Sequence, residues 1–315
     1  MMHAILQIYG GGRYALPPLL DWEIALTGGV PCDSFSLTCP YEPEMAALME
    51  KAWRLTLQRK GTVLQAVVDE TEIVQNERGR LLHLSGRGMA ALLLDNESEA
   101  VEYSSPTLSE ILRNHAAPYG IRWESFPELR GAAPYAVASG SSQWKAISTF
   151  TRCFGGFEPR ITPEGVLCPT PWRDDGKRFV IGRNTPLLRI SWKDRRYGVY
   201  TEVLVVDKVR RTVQRVQNRA LLERGGSCRR VLYTPGRSDG AAMRYTGNYQ
   251  IEQSKRGARV LTVVLPGYFS VRPGAAVRME RGDIGITGDF IVSETLFSGS
   301  GKGETTTLRM RRLQE

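Results

Sequence analysis

The chain has 315 residues, 42% of them hydrophobic and 24% charged, which fits a folded protein of two or three domains and excludes a disordered or low-complexity polymer. Its net charge of +9 is unevenly placed: residues 1–175 carry 15 Lys+Arg against 21 Asp+Glu, a net of −6, and residues 176–315 carry 27 against 12, a net of +15. The apolar runs, such as Met89–Leu94 and Val203–Val206, are far too short to span a bilayer. The start, Met1-Met2-His3-Ala4-Ile5-Leu6-Gln7, has no basic leader, so synthesis and assembly in a cytoplasm are expected.

Residues 1–40 read as strands. Ile5–Tyr9 is apolar until Gly10-Gly11-Gly12, and Trp22–Thr27 and Phe35–Thr38 alternate apolar with polar. Pro43 opens a short helix over Glu44–Lys51, since proline's missing N–H costs nothing in a first turn. Arg54–Gln58 and Val63–Val68 around Arg59-Lys60-Gly61 predict a hairpin. Thr71–Gln75 and Leu81–Ser85 around Asn76–Gly79 predict a second. Next, Met89–Leu94 reads as a helical turn, and Thr107 with Glu110 three residues on is a capping box opening a helix to Ala117. Ser142–Phe154 places Trp144, Ile147, Phe150 and Phe154 on one helical face and stops at Gly155-Gly156. Glu158–Ile161 and Val166–Cys168 form a hairpin about Thr162–Gly165. Pro169, Pro171 and Asp174-Asp175-Gly176 mark a boundary. Everything beyond it reads as strand: Leu187–Trp192, Tyr200–Asp207, Thr212–Val216, Ala258–Leu265, Ala275–Met279, Gly288–Phe297 and Thr305–Leu313.

The expected fold class is therefore α+β, mainly β: antiparallel β-barrels over 1–89 and 176–315, with a small α+β domain over 90–175 between them. The five cysteines lack any C-x-x-C pair and are expected as buried free thiols. His3, His83 and His115 are too scattered to suggest a metal pair. Gly86-Arg87-Gly88-Met89-Ala90-Ala91 fits G-x-G-x-x-A, but the strands before it are antiparallel and no βαβ unit follows. It reads as a tight strand-to-helix turn, and no cofactor is expected. No nucleophile elbow is present, and a carboxylate pair such as Glu124 with Glu158 is not placed by spacing alone. The strongest charge feature is the basic cluster Lys208, Arg210, Arg211, Arg215 and Arg219. It lacks a nucleic-acid signature and is expected to be a protein-contact patch, with no catalytic residue assigned.

Several segments together carry a resemblance. They are Leu84-Ser85-Gly86-Arg87-Gly88-Met89 through Asp95, Thr107-Leu108-x-Glu110-Ile111-Leu112 to Pro118-Tyr119-Gly120-Ile121, and Trp144–Phe157. They continue with Thr162–Leu167, Pro273-Gly274 to Val277, Gly285–Val292 and the final Thr305–Leu308. In this order they resemble the baseplate hub proteins of contractile phage tails and phage-tail-like particles, the late control D and type VI spike hub-like family. The resemblance implies two tail-tube-like barrels per subunit and a homotrimer forming a pseudo-sixfold ring between the sixfold tail tube and the threefold central spike. It implies as partners the tail tube or tube initiator protein, the spike protein, baseplate wedge proteins and the tape measure protein, with DNA passing through the lumen without specific binding. The place implied is the virion tail baseplate, assembled in a bacterial host cytoplasm. A fused hydrolase domain, which such hubs sometimes carry, has no counterpart here, so no enzyme is expected. A tail-associated cell-wall hydrolase and a nucleic-acid-binding module are the alternatives from other classes.

Overall fold

The computed structural model describes residues 1–28, 32–77, 79–174, 176–234, 240–255 and 257–313; Asp175 of the expected boundary lies outside them. Internal contacts divide the chain into two compact units. Unit 1 comprises Met1–Leu188 and Val264–Leu308, and unit 2 comprises Arg189–Val263 and Arg309–Glu315.

Unit 1 begins with β1 (His3–Ile8), β2 (Arg13–Ala15), β3 (Asp21–Thr27), β4 (Ser34–Pro40), α1 (Ala46–Met49), β5 (Ala52–Gln58), β6 (Thr62–Asn76) and β7 (Gly79–Gly88). Period-two alternation decides which face is buried: Trp22, Ile24 and Leu26 turn inward from β3 while Asp21 and Glu23 remain exposed. The two strands expected over Val63–Val68 and Thr71–Gln75 are one continuous β6. Asp69 bulges out where the register with β7 slips between Val68 and Glu70. Its carboxylate accepts from Arg87 Nε at 2.7 Å, which gives the extra residue a use.

The middle segment contains α2 (Ala91–Leu94), β8 (Glu97–Ser98), β9 (Val101–Tyr103), α3 (Leu108–His115), β10 (Arg122–Trp123), β11 (Tyr135–Val137), β12 (Ser141–Ser142), α4 (Gln143–Phe150), β13 (Arg160–Ile161), β14 (Val166–Cys168) and β15 (Phe179–Ile181). Thr107 Oγ1 accepts from the Glu110 amide at 3.2 Å and Ser142 Oγ from the Lys145 amide at 3.1 Å, so both helices start on their side-chain caps. Leu108, Ile111, Leu112, Ile147 and Phe150 are fully buried in a separate core with Trp144 and Leu167. The hairpin about Thr162–Gly165 forms as expected.

Unit 2 holds β16 (Arg189–Asp194), β17 (Glu202–Asp207), β18 (Thr212–Gln217), α5 (Arg219–Leu222), β19 (Arg229–Thr234) and α6 (Gly240–Lys255). The last three correct the sequence reading, which placed no helix or strand between Val216 and Ala258. β17 is the central strand, antiparallel to β18 and parallel to β19. The helix α6 covers one face of this sheet: Met243 and Ile251, four residues either side of Gly247, pack with Val203, Val205 and Val216.

The remaining strands are β20 (Arg259–Pro266), β21 (Ala276–Arg281), β22 (Ile286–Ser300) and β23 (Gly303–Arg312). The first half of β22 pairs with β21, and its second half pairs with β3, Glu294 opposite Thr27 through Gly299 opposite Trp22. The sheet of unit 1 thus runs β23-β22-β3-β4-β7-β6-β5-β1-β2, with β21 on β22 and β15 parallel to β21. The fold is mainly β with a large, predominantly antiparallel sheet; no closed barrel is found among the described residues. β3 takes its partner from the far end of the chain, and Phe297 of β22 sits in the same core as Leu6, Ile24, Leu37, Leu57 and Leu84.

Candidate interaction surfaces

The glycine motif is structural. Gly86 lies in β7 between Phe35 of β4 and Val68 of β6, and a Cβ on it would stand 2.0 Å from the Val67 carbonyl oxygen. The helix that follows Gly88 has four residues, too few to cradle a pyrophosphate. The carboxylates Glu124 and Glu158 have different neighbours: Glu158 faces Arg152 at 3.8 Å, and Glu124 lies beside Cys168, whose thiol burial pushes up to about 12. The five cysteines are free; Cys39 and Cys168 are buried as expected, whereas Cys153 is exposed. No group of three or more His, Cys, Asp or Glu side chains among the described residues is arranged to hold a metal ion. No helix among them is long and apolar enough to cross a membrane.

A buried polar cluster lies inside the middle segment. The Gln143 amide nitrogen donates to the Glu97 carbonyl at 3.0 Å, which fixes the amide's orientation and leaves Oε1 as the acceptor facing His115 Nδ1 at 2.6 Å. His115 therefore carries its proton on Nδ1, and Nε2 accepts from the Tyr103 hydroxyl at 3.0 Å. Burial holds His115 below the ordinary imidazole range, so it is neutral at pH 7; the Gln143 bond opposes this only in part.

A groove of about 680 Å³ crosses the outer face of unit 1. Asp21, Glu23, Glu70, Glu72 and Glu304 line it along with His83 and Lys302, which makes it acidic.

Structure divides the basic cluster. Lys208, Arg210 and Arg211 occupy the turn between β17 and β18, where the Asp207 carboxylate accepts from the Val209 and Arg210 amides at 2.9 and 3.0 Å. Arg215 lies within β18 and Arg219 begins α5, beyond the other end of that strand. The partner that sequence reasoning missed is Arg229 of β19. Glu202 stands between Gln217 of β18 and Arg229 of β19, with 7% of its side chain exposed. It is hydrogen-bonded by both and is 3.4 Å from Arg215. Burial would raise this carboxyl, but the Gln217 and Arg229 hydrogen bonds and the Arg215 and Arg229 charges outweigh it and hold Glu202 below its usual range.

These contacts also define the second face of the unit 2 sheet. Val203, Val205 and Val216 face α6, so Glu202, Leu204 and Val206 face the other way, in rows with Gln217 and Arg229, Arg215 and Val231, and Val213 and Tyr233. Val213, Val231 and Tyr233 are 59%, 45% and 62% exposed. Lys208 Nζ rests 4.2 Å from the Tyr233 ring centroid.

No protein-family model and no curated protein matches the sequence. Solved structures do match in fold. A tail protein from Neisseria meningitidis is 17% identical and aligns over 99% of this chain and 97% of that one, with a TM-score of 0.79. A 43 kDa tail protein of prophage MuSo2 from Shewanella oneidensis is 13% identical over 98% of both chains, also with a TM-score of 0.79. An E. coli component of the type VI secretion system, described as structurally similar to the T4 bacteriophage tail proteins gp27 and gp5, is 10% identical. It aligns over 98% of this chain and 77% of that one, with a TM-score of 0.58. The chain has the fold of these tail and spike-related proteins.

Proposed function

We propose that this chain, built end to end on the fold of phage tail proteins, is a structural component of a tail baseplate and serves as its central hub. The observation that carries the proposal is the end-to-end match: two tail proteins align over nearly the whole of both chains. The mainly β fold with its large antiparallel sheet supports the reading at the level of fold class. In the proposed assembly, three copies form a ring in which segments 1–89 and 176–315 act as six tube-like parts, with 90–175 as the insert. That ring joins the sixfold tail tube to the threefold spike, with wedge, tube and tape measure proteins as neighbours. The protein then acts in the virion tail as a scaffold, not as an enzyme.

Solution mass by light scattering, alone and with a spike protein from the same particle, tests the reading. A trimer, formed alone or on the spike, is the expected result, with a ring visible by negative-stain imaging. A monomer that neither trimerises nor binds the spike would overturn it. So would turnover of peptidoglycan abolished by a single carboxylate or serine change.

A further inference from the structure

The first face of the unit 2 sheet is sealed by α6, whereas among the described residues Val213, Val231 and Tyr233 on the second face are exposed. Its centre is aliphatic: Leu204 and Val206 from the middle strand, flanked by Val213 and Val231. Its border is cationic, with Lys208 beside Tyr233 at one end and Arg215 and Arg229 beside Glu202 at the other. An apolar centre inside a charged rim is the anatomy of a protein-protein contact.

Charge identifies the kind of partner. Unit 2 carries 20 Lys+Arg and 7 Asp+Glu, a net of +13, whereas unit 1 carries 22 and 26, a net of −4. A second copy of this chain carries the acidic groove on unit 1, but it brings with it a second unit of net +13 that adds to the repulsion, so its overall charge does not complement this surface. Nucleic acid would supply the charge, but aliphatic valines offer no platform for bases. The Tyr233 ring already has Lys208 against its face. We infer that the open face of β18-β17-β19 is a docking surface for a different protein chain, one whose contact patch is apolar at its centre and rich in Asp and Glu at its edge. This inference is independent of the trimeric ring, because it concerns a surface of one unit and a partner other than this chain.

Binding of the full-length protein to three labelled probes, followed by fluorescence anisotropy, tests it: a random copolymer of glutamate and tyrosine, poly-glutamate of the same length, and single-stranded oligo-dT. The mixed copolymer should bind about tenfold or more tighter than poly-glutamate, because only it also supplies apolar contact. Val213→Ser with Val231→Ser should remove that advantage, with helix and strand content unchanged by circular dichroism. Lys208→Glu should weaken both polyanionic peptides. Equal binding of the two peptides, or no binding of either, would overturn the inference. Tighter binding of oligo-dT, with a steep salt dependence that the valine changes leave intact, would assign the face to nucleic acid instead. Self-association abolished by the same valine changes would assign it to a second copy.

Discussion

At Asp33, a carboxylate has been taken into the interior with too little to compensate it. Burial pushes it up to about 6, and hydrogen bonds from Thr27 only partly offset this. Because the folded value lies above the unfolded one, the native state holds the extra proton, and stability falls as pH rises from about 4 through 6. Asp33→Asn keeps an oxygen for the Thr27 amide and removes the charge. It should raise stability by about 2 kcal/mol at pH 8 and leave it nearly unchanged at pH 4, as read from urea unfolding at the two pH values. His115 has the opposite sign. Its folded value is depressed by burial, so the unfolded chain binds the proton more readily and stability is lost as pH falls below about 6.5. Gln143→Leu removes the acceptor that fixes the tautomer and strands the Glu97 carbonyl; it should cost about 1–3 kcal/mol at pH 7 by urea titration. Gly86→Ala forces a Cβ against a sheet carbonyl and should cost about 3 kcal/mol or more, seen as a lowered Tm.

Among the elements, α6 and its sheet show how one small residue sets a packing distance. A Cβ on Gly247 would stand 2.5 Å from Val216 Cγ2, so the helix lies as close to β18 as it does only because that position is glycine. Gly247→Leu should lift α6 from the sheet, expose Met243 and Ile251, and increase hydrogen exchange in α6 while the caps at Thr107 and Ser142 stay protected. Thr107→Ala, by contrast, should act on α3 alone at about 1 kcal/mol. The elements legible in the sequence were those with local grammar: caps followed by amphipathic periodicity, and hairpins with a glycine turn. The helix α6 had neither. Its run Gly240–Lys255 contains two glycines and buries only Met243, Gly247 and Ile251, a stripe too thin to register as periodic. β19 opens with Arg229-Arg230 and is largely exposed, so it does not alternate as a half-buried strand does. The cation cluster was legible as composition. Its geometry was not, because Arg215 and Arg229 reach Glu202 only through pairings on both sides of β17.

Over the whole molecule, charge is segregated: a net of +13 sits on unit 2 and −4 on unit 1. Like charges at that density repel across the folded unit, and the repulsion shortens in range from about 10 Å at 0.1 M salt to about 3 Å at 1 M. Raising sodium chloride between those concentrations should therefore raise the unfolding temperature of unit 2. Fluorescence of Trp192, the one tryptophan in that unit's sequence, in a variant whose other tryptophans are phenylalanine, should follow the shift.

The pairing of β3 with β22 has a consequence for how the molecule is made. Residues 22–27 wait for a partner at 294–299, so during translation β3 keeps a bare edge for roughly 15–50 s at ordinary ribosome speeds. Nascent chains stopped before residue 294 should remain protease-sensitive and sticky, and the N-terminal segment should mature only once the last strands emerge from the exit tunnel.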